Sequence, residues 1–219
     1  MLQLAHYVRW TVCKESMYIP KHFEESNINV LHEFIRCNPF ATLITNSESG
    51  LCADHLPVYL NTENPKRILL QGHIAAANPL WKFISSLQES LVIFQGNNAY
   101  VTPSWYPSKK SNGKVVPTWN YTAVHVKGGI KFINEASWKI QLLNNLTLSQ
   151  EKSLNEPWSV SDAPPEFIEK LLPAIVGFEI EVKEIFGKFK LSQNQSEENR
   201  AGVIQGLKEQ GHEMVNQMQ

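Results

Sequence analysis

Neither of the common phosphate-cradling loops occurs in this sequence: its 219 residues contain no G-x-G-x-x-G and no G-x-x-x-x-G-K-[ST]. A nucleotide, if bound, must therefore be held by side chains and by loop amides of another kind. An excess of charge is missing as well, since Lys+Arg 20 against Asp+Glu 21 leaves a net charge of -1. No global field concentrates nucleic acid on such a chain, although a local patch can still do so. Cysteine is scarce: Cys13, Cys37 and Cys52 form neither a C-x-x-C pair nor a Cys/His metal spacing, which excludes a disulfide framework and fits a reducing cytoplasm. No apolar run approaches the roughly eighteen residues a membrane helix needs. The opening segment is broken by His6 and Arg9 and lacks a basic start and a cleavage site, so it does not read as a signal peptide. Met17-Tyr18-Ile19-Pro20 looks like a second start. Residues 1–16 are therefore read as a non-native extension or an N-terminal arm, and 17–219 as a single domain with a C-terminal helix.

What the sequence does hold is an unusual concentration of aromatics, prolines and small polar groups. Pro103-Ser104-Trp105-Tyr106-Pro107-Ser108-Lys109 is followed closely by Val116-Pro117-Thr118-Trp119-Asn120-Tyr121. Prolines stiffen the backbone, flat rings offer a stacking surface, and hydroxyl, amide and ammonium groups can be aimed at a polar ligand. These two segments predict a site for a planar, phosphate-bearing molecule.

Periodicity predicts strands through the middle of the chain and helices at its edges. A helix is expected from about Ser26 to Asn38-Pro39, with Ile28, Leu31, Phe34 and Ile35 on one face. Strands are expected over Ala41–Thr45, Cys52–Leu60 and Arg67–Ile74, a short helix over Asn78–Ser86, and a buried strand over Leu91–Phe94. Further on come a strand over Tyr121–Ile133 bent at Gly128-Gly129, a helix over Glu135–Ser149 with Trp138, Leu142 and Leu146 on one stripe, and a short helix after Pro164-Pro165. Two more strands, Ala174–Val182 and Phe186–Leu191, precede a closing helix over Ser196–Gln210. About seven short strands joined mostly as hairpins do not make a doubly wound sheet. Closure into a barrel is the economical way to remove their edges.

A resemblance sharpens this reading. Met17-Tyr18-Ile19-Pro20-Lys21-His22-Phe23, Asp54-His55-Leu56-Pro57, Gly72-His73-Ile74-Ala75 with Ala77-Asn78-Pro79, the two aromatic segments and Lys190-Leu191-Ser192-Gln193-Asn194 together resemble the PaiB family. The likeness runs from Met17 to about Gly211, in order. It implies the FMN-binding split barrel shared with pyridoxamine phosphate oxidase, an α+β fold of mainly antiparallel strands with peripheral helices. It also implies a homodimer with FMN in the cleft between subunits, and a role as a negative regulator of transcription.

On that resemblance, His73 and Asn78 flank a helix start that faces the phosphate, and Lys109 adds a point charge. Trp105, Tyr106 and Trp119 cover the ring, while Ser104, Thr118 and Asn120 address the ribityl chain or the ring's carbonyl edge. His55, Lys190, Ser192 and Gln193 complete the candidate set. Local alternatives stay open: Trp119 and Tyr121 also suit a barrel wall or dimer interface, and His55 suits a core histidine satisfied by backbone. His125 reads as a solvated strand residue, Lys190, Ser192 and Gln193 suit a helix cap, and Arg200 suits a surface or dimer salt bridge. No helix-turn-helix signature stands out. The basic cluster Lys109, Lys110 and Lys114 is the candidate contact with promoter DNA. Two other functions fit the residues: a flavin-dependent oxidoreductase, and a haem-binding or haem-degrading protein with His55, His73 or His125 as axial ligand.

Overall fold

The computed structural model describes residues 17–47, 50–83 and 88–218, so the expected N-terminal arm, residues 1–16, lies outside the described residues. The strands are β1 (Glu24–Glu25), β2 (Phe40–Ser47), β3 (Gly50–Asn61), β4 (Leu69–Ala75), β5 (Gln88–Val101), β6 (Thr118–Ile133) and β7 (Ile175–Lys190). They form one antiparallel sheet in the order β1-β7-β4-β3-β2-β5-β6, and β7 pairs again with β6. That second pairing closes six strands into a barrel and leaves no free edge between β6 and β7.

The helices are α1 (Ile28–Cys37), α2 (Leu80–Phe83), α3 (Ser108–Asn112), α4 (Ala136–Glu151), α5 (Pro165–Leu171), α6 (Glu197–Glu209) and α7 (Val215–Met218). Among the described residues, no helix is long and apolar enough to cross a membrane. α1 starts one residue later than Ser26 would suggest, because the Asn27 side chain accepts from the Asn29 amide at 3.0 Å and caps the helix. It buries Leu31, Phe34 and Ile35, as its 3.6-residue period requires.

The strands are fewer in break and longer than the sequence suggests. Leu91–Phe94 and Tyr100-Val101 belong to one strand, because the shift of register between Gln95 and Asn98 lets Gly96-Asn97 pass as a bulge instead of a turn. The two late strands likewise fuse into the 16 residues of β7. The charged Lys183-Glu184 between them reads as a break in sequence, yet Glu184 pairs with Lys127 at 3.3 Å outside the barrel wall. The expected bend at Gly128 is present: register shifts between Lys127 and Gly128, and a Cβ at Gly128 would lie 2.1 Å from the Glu181 carbonyl oxygen.

Two helices depart from their patterns. In α4 Leu142 is buried, but its companion is Lys139, whose ammonium donates to the Leu172 carbonyl at 2.7 Å, the Ile175 carbonyl at 3.2 Å and Asn134 Oδ1 at 3.1 Å. A lysine is tolerated there because three oxygens replace its water. In α5, Phe167 and Leu171 are exposed and the apolar weight falls on Leu172 just after it.

Two apolar clusters result. The larger fills the barrel with Leu43, Leu70, Val92, Phe94, Val126, Ile130, Phe178 and Ile180 beneath α1. The smaller gathers Ala99 and Val101 of β5, Tyr106, Leu191, Val203 and Leu207 of α6, and Met214, Val215 and Met218. Phe189 packs against both.

Candidate functional site

The aromatic segments are the connection between β5 and β6 and the first residues of β6. β5 and β6 pair with Tyr100 opposite Trp119 and Val101 opposite Thr118, so Pro103–Pro117 is an excursion from the barrel's end. It does not hang free. The Trp105 ring lies against α6 so closely that a Cβ at Gly206 would meet it at 2.3 Å, and the Ser108 amide donates to Asn199 Oδ1 at 3.3 Å. Only glycine permits α6 to approach a tryptophan face at that distance. Trp105 is thus a docking residue between excursion and helix.

Behind this docked segment is a pocket of about 280 Å³ lined by Tyr106, Thr118, Asn120, Lys190 and Ser192, with Phe23, Val116, Pro117, Asn194 and Gln195 completing the wall. Asn120 is fully buried and exchanges hydrogen bonds with the Ser192 hydroxyl at 2.9 and 3.2 Å. Ser192 holds φ 63°, a left-handed conformation that is costly for a residue with a Cβ and here keeps its hydroxyl on Asn120. Lys190 donates to Thr118 Oγ1 and stands 5.8 Å from the Phe23 ring centre. Burial, and secondarily the Lys188 charge, pull the Lys190 ammonium below the usual lysine range. Tyr106 is 3% exposed, and its hydroxyl is buried with no hydrogen-bond partner among the described residues. Burial pushes that phenol upward, so it is a donor at neutral pH.

Lys188 was not foreseen. It is buried, donates to the Tyr18 carbonyl at 2.8 Å, and lies 5.6 and 5.4 Å from the Tyr18 and Tyr121 rings. The signal was in the sequence: Lys188 and Lys190 are two apart in a strand and so share a face. Among the described residues neither lysine forms an ion pair with a carboxylate.

The remaining predicted residues divide. On the outer side of the excursion, Lys109 donates to Ser104 Oγ at 3.1 Å, and exposed Trp119 meets exposed Tyr100 edge to face at 5.8 Å. Gln193 is exposed and spans its own turn, accepting from the Leu191 amide at 2.6 Å and donating to the Phe189 carbonyl. Arg200 donates to the Met218 carbonyl, tying α6 to α7. His125 is half-buried in β6 opposite Ile93 and Phe186, with a buried Nδ1, and so is less open to solvent than its strand position suggests.

Asn78 stands apart from the Tyr106 and Lys190 pocket, and His55 and His73 lie on the neighbouring strands β3 and β4. Asn78 Nδ2 donates to Asp54 at 2.8 Å and its Oδ1 caps the Leu80 amide at 3.0 Å, beside a pocket of about 240 Å³ that also includes Cys52 and Phe83. α2 is four residues long, and Asp54 brings a carboxylate to its start. The expected helix continues toward Ser86 into residues outside the described ones. His55 is exposed on β3. His73 is half-buried on β4 opposite Gly177 of β7, its Nδ1 buried without a hydrogen-bond partner among the described residues, and burial holds its pKa below the usual histidine range. His73 and Lys190 sit toward opposite ends of β7. From Gly177 to Lys190 is thirteen residues of strand, a path of about 40 Å at ~3.3 Å per residue.

FMN demands a flat face, hydrogen-bond donors for a polyol and cations for a dianion. The residues fit those demands, with the stacking rings and cations at one end of β7 and the His55–His73–Asn78 edge toward the other.

Residues 17–184 match a protein-family profile described as "Putative FMN-binding domain". The chain is 35% identical over 205 residues to the protein "Protease synthase and sporulation protein PAI 2" of Bacillus subtilis (strain 168), covering 92% of this chain and 94% of that protein. It is 33% identical over 230 residues to an uncharacterized protein of Emericella nidulans, covering 89% and 92%. Among solved structures, the flavocytochrome Anf3 of Azotobacter vinelandii superposes with a TM-score of 0.54 at 12% identity over 78% of this chain and 72% of that one. The FAD and heme binding protein of Mycobacterium smegmatis does so with 0.55 at 12% identity over 77% and 73%. These two likenesses establish the fold as the split barrel.

Proposed function

The chain belongs to the PaiB-like family of FMN-binding domains, and from that premise we propose that it binds FMN between the subunits of a homodimer and acts as a flavin-responsive negative regulator of transcription. One observation carries the placement of the ligand: of the residues suited to FMN, His73 pairs with Gly177 near the start of β7, while Lys190 ends that strand beside the aromatic excursion. A single chain therefore offers two half-sites. A two-fold partner brings the His55–His73–Asn78 edge of one copy against the Tyr100–Trp119 face and Lys109 of the other, twice over.

In that cleft Trp119 and Tyr100 supply the stacking face, Ser104 and Lys109 supply polar contacts at its rim, and neutral His73 supplies a ring nitrogen. Bound flavin contributes one- and two-electron chemistry. Lys109, Lys110 and Lys114 are exposed on the excursion beside this cleft, so occupancy of the cleft and contact with DNA share one segment.

Sedimentation of the full chain with and without FMN, joined to flavin absorbance after desalting, tests the first half of the reading. A monomer that retains FMN would refute the shared cleft. A gel-shift assay with the chain's own upstream DNA tests the second half; no shift in either flavin state would exclude direct repression. A second reading is an FMN-dependent oxidoreductase, in which the bound flavin does the chemistry. NADPH oxidation above that of free FMN would decide for it. Haem is the alternative ligand, read out by a Soret shift on titration.

A further inference from the structure

We propose that the cavity between α4 and the outer face of β3, β4 and β7 is a binding site for a neutral, hydroxyl-rich ring, the chemistry of a sugar. The inference does not rest on the flavin reading, since none of the residues suited to FMN lines this cavity.

The seam changes character along its length. α4 runs for 16 residues, and a helix laid on a sheet ordinarily presents an apolar stripe at i, i+4 and i+7. It begins that way. Trp138 sits over Gly177 of β7, where a Cβ would meet its ring at 2.1 Å, and Leu142 is buried four residues on. The next positions of the stripe are Asn145 and Ser149, and among the described residues α4 buries only Lys139 and Leu142.

The sheet answers with polar residues of its own. Leu70 and Ile180 belong to the barrel core, so Gln71 and Glu179, one place along β4 and β7, face outward under α4. Gln71 is 7% exposed and donates to Glu179 Oε1 at 2.8 Å, Trp138 Nε1 donates to the same oxygen at 3.2 Å, and Arg67 stands 3.7 Å from Oε2. Glu179 is thereby answered and calls for no cation, while its charge disfavours an anion. Between helix and sheet lies a cavity of about 230 Å³ lined by Asn61, Gln71, Gln141, Asn145, Trp138 and Glu179. The Gln141 and Asn145 side chains make no hydrogen bond among the described residues. Asn145 also lines an adjoining cavity of about 260 Å³ with Thr62, Ser149 and Gln150.

An amide carries donors and an acceptor on one side-chain tip, and neighbouring ring hydroxyls return the same pair. An apolar ligand would strand these amides. Trp138 and Leu142 supply apolar surface for the carbon face of a ring. At ~30 Å³ per water, 230 Å³ holds about eight waters' worth of matter, which is room for one sugar ring. A larger molecule can continue past Asn145 into the adjoining cavity. The ring has two sources: a free sugar, or the sugar of a nucleoside.

Titration calorimetry of the full chain with D-glucose, D-ribose and adenosine tests the proposal. At least one should bind saturably, with Kd on the order of 1 mM or tighter. Asn145→Leu should weaken binding at least ~10-fold while leaving the ligand-free protein as stable as the parent or more so, because leucine completes the apolar stripe. Gln141→Ala, at an exposed position, should weaken binding ~3- to 10-fold, and it decides alone if Asn145→Leu does not fold. Asn144→Ala, on the same helix and outside both linings, should change nothing. A response to glucose or ribose makes the ligand a free sugar, and a response to adenosine alone makes it a nucleoside. Binding should persist in FMN-loaded protein; binding lost on loading would put the ring in the flavin site and overturn the proposal. A chain that takes up no FMN yet binds the sugar refutes the flavin reading and supports this one. No saturable heat from any of the three probes, or binding indifferent to both Asn145→Leu and Gln141→Ala, also overturns it.

Discussion

The barrel interior and the cluster under the aromatic excursion are both apolar, yet they are assembled in different ways. In the barrel, Val92, Phe94, Val126 and Phe178 are positioned by continuous backbone ladders in which each strand fixes the register of the next. In the smaller cluster, Val101, Tyr106, Leu207, Met214 and Met218 come from separate segments that meet through side chains. The difference explains where polar chemistry can reside. Ladders satisfy backbone groups and leave the interior to packing, whereas docking segments leave gaps at their seams. Asn120, Ser192, Lys190 and the Tyr106 hydroxyl occupy such a seam. The barrel is the frame, and the seam at its end is where a ligand can be met.

The comparison breaks first if the barrel is not the source of stability. Phe178 is fully buried at the centre of β7, so Phe178→Ala should cost ~3–5 kcal/mol in urea or guanidinium unfolding. A loss below ~1 kcal/mol would mean that the interior collapses around the gap and does not act as a rigid frame.

A smaller and more local effect is expected at the seam. Gly206→Ala places a methyl where Trp105 now lies, which should cost ~1–3 kcal/mol. Hydrogen exchange should show α6 and the 102–117 excursion opening while β5–β7 amides stay protected. Equal loss of protection in both regions would show one cooperative unit in place of two.

Tyr106→Phe should leave the ligand-free protein unchanged or up to ~1 kcal/mol more stable, since among the described residues the hydroxyl has no partner to lose. A clear loss in unfolding midpoint would reveal a partner for it.

The gentlest probe is pH, and it addresses the two ends of β7 separately. His73 and Lys190 both have folded pKa values below their unfolded ones, because burial disfavours their charged forms and, for Lys190, Lys188 adds repulsion. Between each folded value and its unfolded value, about 6.5 for histidine and about 10.4 for lysine, the unfolded chain binds more protons. Stability therefore rises with pH through each window and falls on acidification below ~6.5. Urea midpoints measured from pH 5 to 7 should lose part of their slope in His73→Asn, and those from pH 8 to 10 part of theirs in Lys190→Met. An unchanged slope in either variant would dissociate that residue from its window.

Much of the fold was legible because it is periodic. α1 was recoverable from Leu31, Phe34 and Ile35, and the β6 bend from Gly128. The fusion of two expected strands into β7 was not, because Lys183-Glu184 carries turn-like composition, while in the strand both residues are exposed and Glu184 pairs with Lys127. Of the candidate site, Tyr106, Thr118, Asn120, Lys190 and Ser192 were foreseen as residues and do line one pocket. Trp105 was expected over a flavin ring and instead seats α6, since nothing in its local sequence announces that Gly206, 101 residues later, leaves room for it. Asn78 offered itself as a phosphate contact, and only space shows that Asp54 and the Leu80 amide already engage it.

By itself, then, the sequence determined which residues are apolar at strand or helix period, where glycine and proline bend the chain, and which segments concentrate rings and donors, because these are properties of near neighbours. The tertiary structure alone decided that Lys188 and Lys190 are buried or half-buried with no carboxylate partner among the described residues, and that a tyrosine hydroxyl is buried with no partner among them. Those facts arise from contacts between residues up to 170 positions apart, and barrel closure is the step that brings such residues together.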